Sequence, residues 1–230
     1  MLMSDWDRII ADLTNVEKDS RRAVAAFEAL DKAADESWLP RLHQLLATRG
    51  DFFVREAAAM PIARLEGLQA LPQLLHALQL GVEEGHDNDG LTSLVSDLVW
   101  ANPEEAVPFL LQMAQGNVEH ERSHAAWLWG SAAKVLTPEP LVRLAKDPSP
   151  IVRSAAVGSL ASFKDREDVF AALLQALDDP IEGVKSSAAS GLGVYGDRRA
   201  LSALRALLPD SSESVRRDVQ HAIKQLGMAF

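Results

Sequence analysis

The chain has no cysteine and a single tyrosine, and aromatic residues make up only 6% of it. Without thiols, disulfides, thiolate zinc sites and cysteine nucleophiles are excluded, and the redox compartment is left open. Basic residues are also in deficit: 23 Lys and Arg stand against 33 Asp and Glu, a formal net charge of -10. Phosphate binding relies on clustered Lys and Arg, so a nucleic-acid partner is not expected. The same imbalance favours solubility and a protein partner that is neutral or basic. No apolar run approaches the roughly 20 residues that a bilayer span needs, so no membrane association is expected. Residues Met1 to Ile10 hold Asp5, Asp7 and Arg8. They show no basic stretch followed by an apolar one, so a signal peptide is not expected and a cytoplasmic location is the default. No Gly-rich phosphate loop or nucleophilic triad stands out either.

What the chain does have is a repeat. Val152-Arg153-Ser154-Ala155-Ala156, Val184-Lys185-Ser186-Ser187-Ala188 and Val215-Arg216-Arg217-Asp218-Val219 align on their basic residue. Stepping back from Arg153 at intervals of 31 to 34 residues gives Arg122, Asn88 and Arg55. Three residues after each anchor stand Ala58, Leu91, Ala125, Ala156, Ala188 and Val219. Seven after stand Ile62, Val95, Trp129, Leu160, Leu192 and Ile223. The column at ten, from Leu65 to Leu226, is apolar too. Offsets of three, seven and ten keep one face of a 3.6-residue helix, so these columns predict the buried face of a first helix in each repeat. A second apolar helix follows, as in Phe170, Leu173, Leu174 and Leu177. Breakers separate the repeats at Asp147-Pro148, Asp179-Pro180 and Pro209-Asp210. Within repeats, Asn102-Pro103, Thr137-Pro138 and Gly196-Asp197 are expected to end the first helix. A less regular pair spans about Ser20 to Thr48, giving six hairpins plus a final helix from Ser214 to Gly227. One hairpin cannot bury its own apolar face, so stacking is obligatory. The expected fold is all-α, a right-handed α-solenoid of stacked antiparallel hairpins, with residues 1–230 as one repeat domain.

The Val-Arg-Ser-Ala-Ala segment, Gly196-Asp197-Arg198-Arg199-Ala200-Leu201 and the Asp-Pro turns resemble HEAT repeats of the phycobilisome-lyase-like subclass. The resemblance implies that turn acids and anchor bases hydrogen-bond between neighbouring repeats. Asp147, Asp179 and Asp210 with Arg153, Lys185 and Arg216 would then be structural rather than catalytic. Members of the family include chromophore lyases, hydroxylases, adaptors and immunity proteins, so the resemblance does not fix a function.

Departures from the repeat are where function can be grafted. The third repeat opens with Gly81-Val82-Glu83-Glu84-Gly85-His86-Asp87-Asn88-Asp89-Gly90, with Asp87-Asn88 in place of Val-Arg. It does not fit a calcium-loop pattern, and the plainer account is a long connection with Asp89 capping a helix that begins near Leu91. The fourth repeat carries His120-Glu121-Arg122-Ser123-His124, a match to HExxH. Its middle position is the repeat anchor, no third ligand is evident, and the register alone accounts for Arg122. His86 and His120 share one column, and Asp87 and Glu121 the next. A metal site at His86, Asp87, His120, Glu121 and His124 is therefore the candidate metal chemistry, with no other cofactor expected. Deoxyhypusine hydroxylases, which are HEAT-like, bind iron through His-Glu pairs on successive repeats. Here there is one such pair and it precedes the anchor, so hydroxylase activity is not expected.

Trp129 falls in a core column. Trp127 falls in a column of mostly small or polar residues and is the candidate interface tryptophan. Trp6 and Trp38 are expected to pack the N-terminal end. In HEAT-like stacks the second helices line the concave face, here with Gln73, His76, Gln112 and Arg143 among the outward positions. Together with Glu83, Glu84, Asp87, Asp89 and Trp127, these are the candidate partner-binding residues. The favoured function is a protein-interaction scaffold or adaptor, with immunity proteins as one such class. The alternatives are a metal- or small-ligand-dependent enzyme at residues 86–124 and a HEAT-like DNA glycosylase, the latter disfavoured by the acidity.

Overall fold

In a computed structural model, residues 4–15, 19–86 and 88–228 are described, and every regular element among them is helical. Their packing divides the chain into two compact units, Met1–Asn102 and Pro103–Phe230. The first contains α1 (Asp5–Leu13), α2 (Ser20–Ala33), α3 (Leu39–Leu46), α4 (Phe52–Glu66), α5 (Leu71–Glu83) and α6 (Asp89–Ala101). The second contains α7 (Pro103–Gln115), α8 (Glu119–Ser131), α9 (Glu139–Leu144), α10 (Pro150–Leu160), α11 (Glu167–Ala176), α12 (Glu182–Tyr195), α13 (Leu201–Ala206) and α14 (Glu213–Met228).

Each unit is a stack of antiparallel helices. In the second, α8, α10, α12 and α14 pack in succession, each of the first three paired with the helix that follows or precedes it in sequence. In the first, α2, α4 and α6 form the corresponding layer, and Trp6 meets Trp38 edge to face at 5.2 Å. Within the first unit α2 to α5, and within the second α8 to α13, alternate as first and second helices of the repeat, and α14 is the final helix. The α1 segment is an additional helix that the repeat pattern did not reveal. Its start is fixed by Ser4, whose hydroxyl accepts from Asp7 N while Asp7 reaches back to Ser4 N.

The column logic explains the packing. All six residues three after an anchor are buried, from Ala58 to Val219. The small side chains at four of these positions let neighbouring first helices approach closely. Seven after the anchor, Ile62, Val95, Leu160 and Leu192 are fully enclosed and Trp129 nearly so. Local signals end the helices. Asp51 caps α4 by accepting from Val54 N, and Gly196 ends α12 in the left-handed region at φ 91°.

Two boundaries differ from the sequence expectation. Asp89 is the first residue of α6 and Asn88 is its N-cap residue, so Asp89 is not the cap. Asn88 instead donates from Nδ2 to His86 O at 3.1 Å. The first helix of the fourth repeat ends at Ser131, six residues before Thr137, and a turn follows. That turn is folded back because Trp129 Nε1 donates to Thr137 O at 2.7 Å.

The ion-pair ladder exists and joins neighbouring repeats, with Arg122 as an added first base and Arg216 outside the acid pairs. Arg122 donates from Nε and Nη2 to Asp147 at 2.7 and 3.0 Å. Arg153 does the same to Asp179 at 2.7 and 3.0 Å, and Lys185 reaches Asp210. Each acid thus takes the anchor of the preceding repeat. The anchor of the acid's own repeat reaches backbone: Arg153 Nη1 donates to Asp147 O and Pro148 O, and Arg216 Nη1 to Asp210 O and Ser211 O. Each acid also accepts from an N–H two residues on, Ser149, Ile181 or Ser212. Arg153, at 5–6 residues from those carbonyls, therefore ties its own turn and the next one together. For Asp147, burial pushes the carboxyl up, but Arg122 and Ser149 N outweigh it and hold the pKa below the usual range. For Asp179 the Arg153 hydrogen bonds dominate and lower it.

A second set of pairs joins the opposite ends of the repeats. Arg166 meets Glu139 at 2.8 Å and Arg199 meets Glu167 at 2.9 Å. These pairs are exposed and contribute little each.

Candidate functional site

The long loop of the third repeat is pinned to the start of α4. Glu84 accepts from Gly50 N at 2.9 Å, and its other oxygen lies 2.8 Å from Arg55 Nη1. Arg55 is 1% exposed and also donates to Thr48 O at 2.8 Å. Glu84 thus sits beside Arg55 as an ion pair, without the paired Nε and Nη2 hydrogen bonds that the turn aspartates accept from Arg122 and Arg153. The hydrogen bond from Gly50, then Arg55, hold its carboxyl below the usual range. Of the other loop residues, Glu83 is exposed and pairs with Arg49 at 3.5 Å. His86 is half-buried, 5.0 Å from the Phe52 ring and 3.5 Å from Glu84. Asp87 lies outside the described residues.

The five candidate metal ligands are divided between the units. His86 and Asp87 belong to the first, and His120, Glu121 and His124 to the second. In the second unit, His120 and His124 lie one turn apart on α8 with ring centroids 6.1 Å apart. Glu121 is half-buried beside Gly116, whose position is 3.5 Å from Glu121 Oε2 when a Cβ is built on it. His124 Nδ1 is buried without a hydrogen-bond partner among the described residues. Burial, then the neighbouring His120, push the His124 pKa down to about 4, so the ring is neutral near pH 7. Among the described residues, no three His, Asp or Glu side chains are gathered as metal ligands. Arg122, in the middle of the HExxH match, is committed to Asp147.

The tryptophans separate clearly. Trp129 is buried. Trp127 is half-buried, with its ring 6.5 Å from that of His124. Trp100, at the end of α6, is 63% exposed and is the tryptophan most open to solvent. Its position two residues beyond the last core column of its helix is the signal that could have singled it out. On the second helices, Gln73, His76, Gln112 and Arg143 are all exposed. A groove of about 290 Å³ runs between α3 and α5, lined by His43, Leu46, Ala47, Pro72, Gln73 and His76. His43 Nε2 is held 3.0 Å from Glu66. In the second unit, Lys146 and Gln175 share a groove of about 460 Å³ between α9 and α11 with Ala145, Ala172 and Ala176.

Comparison with known proteins bears on the fold. Residues 137–224 match the family model for HEAT repeats. The matched segment contains the Arg153–Asp179 and Lys185–Asp210 pairs. Similar solved structures include human deoxyhypusine hydroxylase in complex with glycerol, at 17% identity and TM-score 0.46 over 96% of this chain and 95% of that one. An engineered protein is 17% identical, with TM-score 0.47, over 98% and 97%. A designed armadillo repeat protein in complex with the peptide (KR)4 is 18% identical, with TM-score 0.42, over 97% and 100%. No curated protein matches the chain. Among the described residues, no helix is long and apolar enough to cross a membrane.

Proposed function

We propose that the chain is a protein-interaction scaffold or regulatory adaptor. It binds its partner on the concave face lined by the second helices, or at the third or fourth repeat. An immunity-type role, masking a basic enzyme, falls within this reading. The observation that carries it is the division of the charged and polar side chains. The anchor bases are consumed by turn acids and carbonyls inside the fold. By contrast, His76, Gln112 and Arg143 are exposed and make no side-chain hydrogen bond or ion pair among the described residues. Polar, mixed surfaces of this kind suit recognition of another protein.

The test is capture from the native host by crosslinking, followed by titration of the purified captured protein. A stoichiometric complex is expected. Joint replacement of Trp127→Ala and Glu83→Gln should weaken it by about tenfold, the scale of one lost interface contact. Unchanged affinity would remove those two residues from the interface, and absence of any stoichiometric protein partner would contradict the scaffold itself.

A second reading is a metal-dependent enzyme at the His/acid cluster. The unpartnered, buried Nδ1 of His124 favours it, because a neutral imidazole nitrogen is a metal donor. Metal analysis of protein purified without chelators decides between the two, and substoichiometric metal would sink the enzyme reading. Glycosylase activity is disfavoured by the net charge of -10.

A further inference from the structure

The turns between HEAT repeats form an edge of the second unit with a composition of its own. The pairs Arg122–Asp147, Arg153–Asp179 and Lys185–Asp210 tie each repeat to the turn of the next. Successive turns therefore follow one another at the spacing of packed helices, about 8–10 Å. Four of the six exposed large hydrophobic residues described in this unit stand on that edge: Val118, Ile151, Ile181 and Leu208. Ile151 is 58% exposed although it begins a helix whose other apolar residues are mostly buried.

The charges on the same edge are one-sided. Arg122, Arg153 and Lys185 are neutralised by their aspartates. Glu119, Asp178, Glu182 and Glu213 are exposed, and their carboxylates make no ion pair or hydrogen bond among the described residues. Lys146 and Arg217 are exposed bases close to them among the described residues, so the unpaired acids are still in excess. Glu119, Glu182 and Glu213 lie in the first turns of α8, α12 and α14, where the helix dipole favours an acid. That effect accounts neither for Asp178, which precedes a turn, nor for three β-branched apolar side chains left in water on consecutive repeats.

We infer that this edge docks an extended, basic segment of a partner protein. In the polyproline II conformation such a segment has three residues per turn and rises about 3.1 Å per residue, so every third side chain lies on one face and advances by about one repeat. An apolar residue at every third position would meet Val118, Ile151 and Ile181 in turn. Lys or Arg at the intervening positions would face Glu119, Asp178, Glu182 and Glu213. The inference rests on the scaffold reading and assigns it a surface and a partner chemistry.

The test uses the full chain and a fluorescent peptide of repeated Ile-Lys-Lys triplets, with Ser-Lys-Lys and Ile-Glu-Glu versions as controls. The Ile-Lys-Lys peptide should bind at least about tenfold more tightly than either control, and more weakly as salt rises from about 50 to about 300 mM. The double variant I151E/I181E should lose at least about tenfold, and E119Q/D178N/E182Q/E213Q should lose the salt dependence. Both sets are exposed, and far-UV circular dichroism checks that the helices persist. V135S/V194S, at the two exposed apolar residues of this unit that lie off the edge, should bind as the wild type does.

Equal binding of all three peptides, or loss through V135S/V194S with I151E/I181E unaffected, would overturn the edge. So would self-association in sedimentation that I151E/I181E abolishes, since the edge would then join two copies of the chain. Any of these results would leave the scaffold reading to stand or fall on the capture experiment.

Discussion

Replacing Trp129 with alanine is expected to lower the unfolding free energy by about 4 kcal/mol, the scale for truncating a buried tryptophan. The side chain is 4% exposed and stands in the column of Ile62, Val95, Leu160 and Leu192. Two losses combine. The stack would carry a cavity in a layer that its neighbours cannot refill, because they are held by their own anchors. The turn after α8 would also lose the Nε1 bond to Thr137 O. Trp129→Phe separates the two: it keeps much of the volume, forfeits the bond and should cost about 1–2 kcal/mol. Urea denaturation followed by circular dichroism measures both. A loss under about 1 kcal/mol for Trp129→Ala would show that the column is not packed as described.

Acidification through the weakly acidic range should destabilise the protein through His124. Burial, then His120, lower its folded-state pKa to about 4 from an ordinary 6.5. The unfolded chain therefore takes up the proton first. The contribution of neutral His124 is complete above about pH 6.5 and falls away as pH drops from there to about 4, by about 3 kcal/mol in all. His124→Gln should flatten stability across that window. Asp147 and Asp179 also have lowered pKa values in the fold. Their share is present above the ordinary carboxylate value of 3.8 and is lost only below it. The two effects occupy different pH ranges. A profile flat from pH 7 to 4, or one that His124→Gln leaves sloping, would contradict the burial of this imidazole.

The repeat was legible in the sequence because burial on one helix face imposes a period that composition cannot hide. The Ala58-to-Val219 column and the Ile62-to-Leu192 positions are buried because a stacked helix has one inner stripe. The ladder was legible only in its membership. Sequence names Arg153 and Asp179 as special, but which turn a six-atom guanidinium side chain reaches depends on the offset between layers. Hence Arg122 meets Asp147, and Arg216 ends the series on carbonyls. Glu84 escaped because it follows its anchor by 29 residues, against 25 or 26 for the aspartates. The extra length lies in the loop, and so an apparent surface acid is drawn inward to Arg55. The His/acid columns illustrate the reverse limit: equal register gives equivalent places in successive repeats and does not by itself imply contact. Trp127 and Trp100 show that exposure near the end of a helix depends on where the turn goes, as the early end of α8 at Ser131 makes plain.

The account stands on the assignment of anchor bases and turn acids to the stack, which leaves the remaining surface for a partner. A double-mutant cycle on Arg153→Ala and Asp179→Ala tests this most directly. The expected coupling energy is about 2 kcal/mol, as for a charge-assisted bidentate pair shielded from solvent. The cycle of Arg153→Ala with Asp147→Ala should show less than half of that, because Arg153 touches only the backbone carbonyl of Asp147. Additivity within about 0.5 kcal/mol at Arg153 and Asp179, or stronger coupling to Asp147, would contradict it.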